Sequence, residues 1–135
     1  MRILAVDYGD QHTGLAFSDP MGIIAGEAFT VDEWNPERLA ERIAEEARAR
    51  KAERIVLGYP LNMDGSAGPR AEKSLSFRDL LKEKTGIEPI MWDERRTTVD
   101  AHRIISDNGR HGKRRKQIVD AVAATLILEG YLRSI

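Results

Sequence analysis

Four carboxylates stand where a carboxylate is hard to explain. Asp7 closes the apolar run Ile3 to Val6, Asp93 and Glu94 follow the run Ile87 to Trp92, and Asp120 interrupts the apolar stretch Ile118 to Leu128. A buried lone carboxylate costs on the order of several kcal/mol unless it is paired, protonated or bound to a cation, and carboxylates brought together repel one another. A divalent cation relieves both problems. Oxygen donors without cysteine favour Mg²⁺ or Mn²⁺ over zinc, and two such ions about 4 Å apart activate a water and stabilise the leaving oxygen of a phosphodiester. Adjacent strand residues point to opposite faces, so Asp93 and Glu94 do not serve equally, and the residue pattern leaves the choice between them open. Each acid also has an ordinary structural use: Asp7 in a turn, Asp93 or Glu94 paired with Arg95 or Arg96, Asp120 paired with Arg115 or Lys116.

The elements that must position these acids follow from periodicity. Ile3 to Val6 reads as a strand buried on both faces that delivers Asp7 to its carboxyl end, where α/β proteins build sites. Tyr8 to Gly14 has turn chemistry, Leu15 to Ser18 resumes a strand, and Ile23 to Val31 makes a third extended segment. Asn35 suits an N-cap and Pro36 a first helical position, with Leu39, Ala40, Ile43, Ala44 and Ala47 at helical spacing to about Lys51. Arg54 to Gly58 is a second buried strand. A helix capped by Ser66 runs to about Lys84 with Gly86 as its stop, Ile87 to Trp92 is a short strand, Thr97 or Thr98 caps a helix through Ile105, and a last helix spans about Lys113 to Leu132. On that helix Asp120 shares a face with Ala123, Ala124 and Ile127, so it points inward with small side chains. The expected fold is α/β, one domain over residues 1–135, with a mixed five-stranded sheet of three antiparallel and two parallel strands flanked by helices.

Composition narrows the class. With no cysteine, neither disulfides nor thiolate metal sites hold the chain, and a reducing, cytoplasmic setting is expected. No run reaches the roughly 18 apolar residues of a membrane span, so no membrane partner is expected. Net charge is −1, yet residues 1–50 carry five Arg/Lys against ten Asp/Glu and residues 51–135 carry sixteen against twelve. The later part can present a positive face. Arg110, Lys113, Arg114, Arg115 and Lys116 fall within seven residues, a phosphate-tracking patch or simply a solvated loop. Gly9, and Asn62, Gly65 and Ser66 in the loop after Gly58, are candidates for phosphate contact, although the Walker spacing is missing. Few aromatics lie near these motifs, so base stacking has little support. No coiled-coil heptad stands out, and monomer or homodimer stays open.

Taken together, Asp7-Tyr8-Gly9 through Gly14, Ser18-Asp19, Gly58 to Ser66, Asp93-Glu94-Arg95-Arg96-Thr97-Thr98 with Ala101, and Val119 to Ala124 with Leu128 and Tyr131-Leu132 resemble the YqgF/RuvX family, Holliday-junction resolvase-like nucleases of ribonuclease H-like fold. The resemblance spans nearly the whole chain in order. It implies a site of Asp7, Glu94 and Asp120 holding Mg²⁺ or Mn²⁺, two ions, in a nuclease of structured nucleic acid. It further implies 5′-end maturation of pre-16S ribosomal RNA and, by fold, cutting of branched DNA. Arg95, Arg96, Arg110 and Lys113 to Lys116 would hold the nucleic-acid backbone. Where the family often has a basic pair after the first acid's glycine, this chain has Gln11-His12. Two rival readings are a non-catalytic RNA-binding ribosome-assembly factor and a nucleotide-handling enzyme of the actin-like group.

Overall fold

The computed structural model describes residues 1–96 and 112–135, the side chains of 112–119 excepted. Along the chain run β1 (Arg2–Asp7), β2 (His12–Ser18), β3 (Ala25–Asp32), α1 (Pro36–Ala49), β4 (Ala52–Tyr59), α2 (Pro69–Thr85), β5 (Ile90–Asp93), a 3₁₀ turn (Glu94–Arg96) and α3 (Gly112–Ser134). The sheet order is β3-β2-β1-β4-β5. β1 pairs antiparallel with β2, and β2 with β3, whereas β1–β4 and β4–β5 are parallel. This is the expected mixed sheet, with β1 at its centre. The helix expected from Thr97 or Thr98 to Ile105 lies outside the described residues, as does Arg110.

Three boundaries differ from expectation for local reasons. β3 begins at Ala25 because the Asp19 carboxylate accepts from the amides of Ile23 at 2.6 Å and Ile24 at 2.9 Å and folds them into a turn. α2 begins at Pro69, with Gly68 as its N-cap, because the Ser66 hydroxyl donates to Asp64 at 2.6 Å and closes a turn instead of capping a helix. β5 is confined to Ile90–Asp93. α1 starts as expected, its Asn35 side chain accepting from the Arg38 amide at 3.0 Å, a cap worth about 1 kcal/mol.

Strand alternation sorts the core into two unlike layers. Leu4, Val6, Leu15, Phe17, Ile55 and Leu57 face α1 and α2, meeting Leu39, Ile43, Phe77 and Leu81. On the other face Ile3, Ala5, Ala16 and Val56, with Trp92, meet Ala124, Ile127, Leu128 and Tyr131 of α3. Small side chains on this second face let α3 approach the sheet closely. At Gly14 the approach is closest: a Cβ there would lie 2.0 Å from the Asp120 carbonyl oxygen. Among the described residues no helix is long and apolar enough to cross a membrane.

If α3 rests on Gly14, Gly14→Ala cannot be accommodated by a side-chain rotation, because the obstructing atom is backbone. Urea unfolding should show a loss of about 3 kcal/mol, the upper end of ordinary overpacking losses. Gly86→Ala, at a left-handed φ of +75° with nothing within 4 Å, should lose only about 1–2 kcal/mol. Equal losses at the two positions would contradict the close packing of α3.

Candidate functional site

The two strands beside β1 bring the acids together. Asp7 continues the row of Ile3 and Ala5 and therefore emerges on the α3 side of the sheet. Its partner across β2 is Gly14, on which the Asp120 backbone sits. On the other side Val6 pairs with Leu57, so the next residue of β4, Gly58, lies beside Asp7. A Cβ on Gly58 would meet the Glu94 carboxylate at 3.0 Å and Ile127 Cδ1 at 2.9 Å. Each lateral neighbour of Asp7 thus lacks a side chain, and each vacancy is taken by the residue carrying another acid.

Charge follows from this crowding. Burial, then the neighbouring Glu94 and Asp120 carboxylates, raise the Asp7 carboxyl to about 8, while the Arg70 guanidinium opposes the shift. Burial also raises Glu94, against the pull of Arg70 and with the push of Asp93. Asp93 is a different kind of acid. Arg95 forks onto it, Nε at 3.0 Å from both oxygens and Nη2 at 2.7 Å, and these bonds hold Asp93 below the usual carboxylate range. Position and charge both set Glu94, and not Asp93, with Asp7 and Asp120.

A cavity of about 400 Å³ opens beside the acids, with Asp120 in its wall. It is lined by the β1–β2 turn, Tyr8 to His12, by Arg70 and Lys73 of α2, and by Trp34 after β3. Arg70 and Lys73 are three apart on a helix and so share a face. Lys73 Nζ lies 3.1 Å from Asp10 in an exposed pair, and Tyr8 stacks on Phe77 at 4.2 Å with an interplanar angle of 2°.

Comparison with known proteins identifies the family and the fold. The sequence profile of the family described as "RuvX: Holliday junction resolvase" matches residues 1–134. The chain belongs to the RuvX family. A relative from Clostridium tetani, named "Putative pre-16S rRNA nuclease", is 43% identical over 135 residues, covering 100% of this chain and 98% of the relative. One of the same name from Agathobacter rectalis is 44% identical, covering 98% and 94%. Among solved structures, Thermus thermophilus RuvC in complex with a Holliday junction aligns at a TM-score of 0.64 and 14% identity, covering 99% of this chain and 96% of that one. Fowlpox virus resolvase with Holliday junction DNA aligns at 0.59 and 14%, covering 99% and 98%. The fold is therefore the ribonuclease H-like fold of the resolvases.

Against the RuvX-family expectation, Gln11-His12 lack the basic pair. His12 is buried and hydrogen-bonded through Nδ1 to Asp32 across the β2–β3 ladder, so it serves the hairpin. Arg70 and Lys73 bring positive charge to the same turn from α2. The residue pattern singles out neither, because charges in the first turns of a helix capped by Ser66 read as solvated; Pro69 as first helical residue is the signal that places them in its first two turns.

The remaining predicted contacts divide. The Gly9 amide donates to Thr13 Oγ1 at 3.2 Å. The amides of Asn62, Gly65 and Ser66 donate to Ser66 O, Asn62 O and Asp64 Oδ1, each at 2.9 Å, so these donors close their own loop. Arg95 also reaches the Met63 carbonyl at 3.3 Å, and the Arg96 guanidinium lies 4.1 Å from the centre of the Trp92 ring. Both arginines remain exposed. Lys113 to Lys116 lie in the first turns of α3.

The raised Asp7 carboxyl sets a pH dependence. Its folded pKa, about 8, lies above the ordinary value of 3.8, so between these limits the folded chain holds a proton that the unfolded chain does not. Stability contributed by this group is full below about pH 4 and is lost as pH rises through about 8. In EDTA-containing buffer, urea midpoints of wild type should fall over this range relative to those of Asp7→Asn, the curves diverging toward alkaline pH. Parallel curves would show that Asp7 does not sit in the field of Glu94 and Asp120.

Proposed function

We propose that this chain is a divalent-metal-dependent nuclease of structured nucleic acid, acting in 5′-end maturation of pre-16S ribosomal RNA, with branched DNA as a second substrate class. The observation that carries the proposal is the convergence of Glu94 and Asp120 on buried Asp7 at one end of the sheet, where their charges raise its affinity for a proton. The names of the relatives support the rRNA assignment, and the resolvase fold supports cleavage of a phosphodiester.

The donor set fits a hard cation. All three candidate ligands are carboxylates, while His12 is engaged by Asp32. Among the described residues no three Asp, Glu, His or Cys side chains are close enough to form an ion shell by themselves. Mg²⁺ or Mn²⁺ suits oxygen donors of this type, since Mg²⁺ characteristically keeps several waters and takes one or two carboxylates together with phosphate oxygens. When bound, two such ions supply water activation and stabilise the leaving oxygen. Without them, Asp7 at neutral pH retains a proton, which cation binding would release.

The protein's own groups do the rest. Asp7, Glu94 and Asp120 would hold the ions, and Arg70 tempers their mutual repulsion. Arg70 and Lys73 would hold a phosphate backbone along the cavity, with Arg95 and Arg96 beyond it and the Arg110 to Lys116 segment adding charge. Such contacts position a strand without reading its sequence, so binding should weaken steeply with salt. Hydrolysis then transfers a water oxygen to phosphorus as the P–O bond to the departing nucleotide breaks.

The test is cleavage of 5′-extended pre-16S RNA and of a four-way DNA junction, with Mg²⁺ or Mn²⁺ and with EDTA. Wild type should cut only with metal. Asp7→Asn, Glu94→Gln and Asp120→Asn should each slow cutting by about 100-fold or more, about 2.7 kcal/mol of barrier. Metal-independent binding with no cleavage by wild type would favour the ribosome-assembly factor instead.

A further inference from the structure

Trp34 is the one large aromatic at this cavity that the fold does not use. It is 67% exposed, whereas the other tryptophan, Trp92, is 5% exposed. Trp34 precedes the α1 N-cap, a position from which an apolar side chain often packs back onto the fourth helical residue, here Leu39. Leu39 is buried in the core at 1% exposure, but Trp34 belongs to neither core cluster. Its indole lines the cavity with Arg70, Lys73 and Asp120 instead.

The backbone on either side of Trp34 is held in place. The Glu33 amide donates to the Gln11 carbonyl at 2.9 Å, tying this residue to the β1–β2 turn. The Glu33 carboxylate accepts from the Asn35 amide at 3.0 Å, and Asn35 in turn caps α1. A solvent-exposed indole carried on fixed backbone, sharing a cavity with two cations and a candidate catalytic acid, has the composition of a single-strand platform. Successive bases stack on such rings while cations track the backbone, and every base offers a π-face only when unpaired.

We propose that Trp34 stacks an unpaired nucleobase, so that the substrate class is a strand with at least one unpaired nucleotide at the cavity, its phosphates on Arg70 and Lys73. The exposed pair of Lys73 with Asp10 is weak enough to exchange for a phosphate. Cleavage at that nucleotide rests on the nuclease reading above; stacking does not.

The experiment measures binding in EDTA, where cutting is suppressed, using an eight-nucleotide RNA as single strand and as blunt duplex. Wild-type tryptophan emission should fall on adding the single strand and stay nearly constant with the duplex. Trp34→Phe, which leaves Trp92 as the reporter, should lose the emission change yet bind the labelled single strand within about threefold of wild type, because a smaller ring still stacks. Trp34→Ala should weaken single-strand binding by about 5- to 150-fold, matching the range of base–aromatic stacking, while unchanged Trp92 emission confirms the fold. Trp34→Ala binding the single strand as tightly as wild type, an equal emission response to the duplex, or no binding by wild type would each overturn the proposal. Adding Mg²⁺ separates the two readings. Cleavage by wild type with no effect of Trp34→Ala on binding or cutting would leave the nuclease and remove the platform. Stacking without cleavage would do the reverse.

Discussion

The central constraint is that Asp7 sits in a sheet between two glycines. A strand normally surrounds each residue with side chains from both neighbours, which would wall off a carboxylate at this position. Gly14 and Gly58 remove those walls, and the freed space receives the Asp120 backbone and the Glu94 carboxylate. Glycine in a strand is unfavourable by roughly 0.5–1 kcal/mol relative to alanine, and the repulsion among the acids adds to it. Both costs fall at one point of the fold. Such concentrated local conflict is expected where function, not packing, has shaped the residues.

The two faces of the sheet divide the labour. Toward α1 and α2 the strands present Leu, Val, Phe and Ile, a thick apolar layer that secures the sheet. Toward α3 they present Ala5, Ala16 and Gly14, which bring that helix close enough for its backbone, and not merely a long side chain, to approach β2. The thick layer makes the thin one tolerable. α2 then contributes to the site from the opposite layer, since its first residues reach the sheet end where the β1–β2 turn lies, and Arg70 acts on Asp7 and Glu94 from there.

Much of this was legible in the chain. An apolar run that ends on an acid marks a strand and its rim, so Asp7 and the pair Asp93-Glu94 could be singled out, with Glu94 chosen only by the family resemblance, and the small residues around Asp120 indicated a helix pressed to the sheet. The mixed sheet followed from the change of period after Asn35. What the residue pattern hid were features set by turns. Ser66 has the chemistry of a helix cap, but Asp64 two residues earlier competes for it, and the turn wins. With the cap of α2 set at Ser66 instead of Gly68, Arg70 and Lys73 looked like ordinary charges of a solvated helix. Trp34 was hidden for another reason: the expectation of little stacking counted aromatics near the motifs along the chain, and it is the fold that brings Trp34 of the β3–α1 connection to the cavity.

The Gln11-His12 departure shows how a missing charge in sequence need not be missing in space. Burying His12 against Asp32 anchors the end of the β2–β3 ladder, and a basic residue there would have had to leave that pocket to meet a phosphate. Moving the charge to α2 separates the two tasks. Arg70 and Lys73 lie in the first two turns of that helix, where cations oppose the macrodipole and are less favourable than acids. That local cost is reduced by what they face: the Asp10 carboxylate for Lys73, and the fields of Asp7 and Glu94 for Arg70. The acids thus stabilise these two cations, and Arg70 in turn tempers the crowding of Asp7 and Glu94.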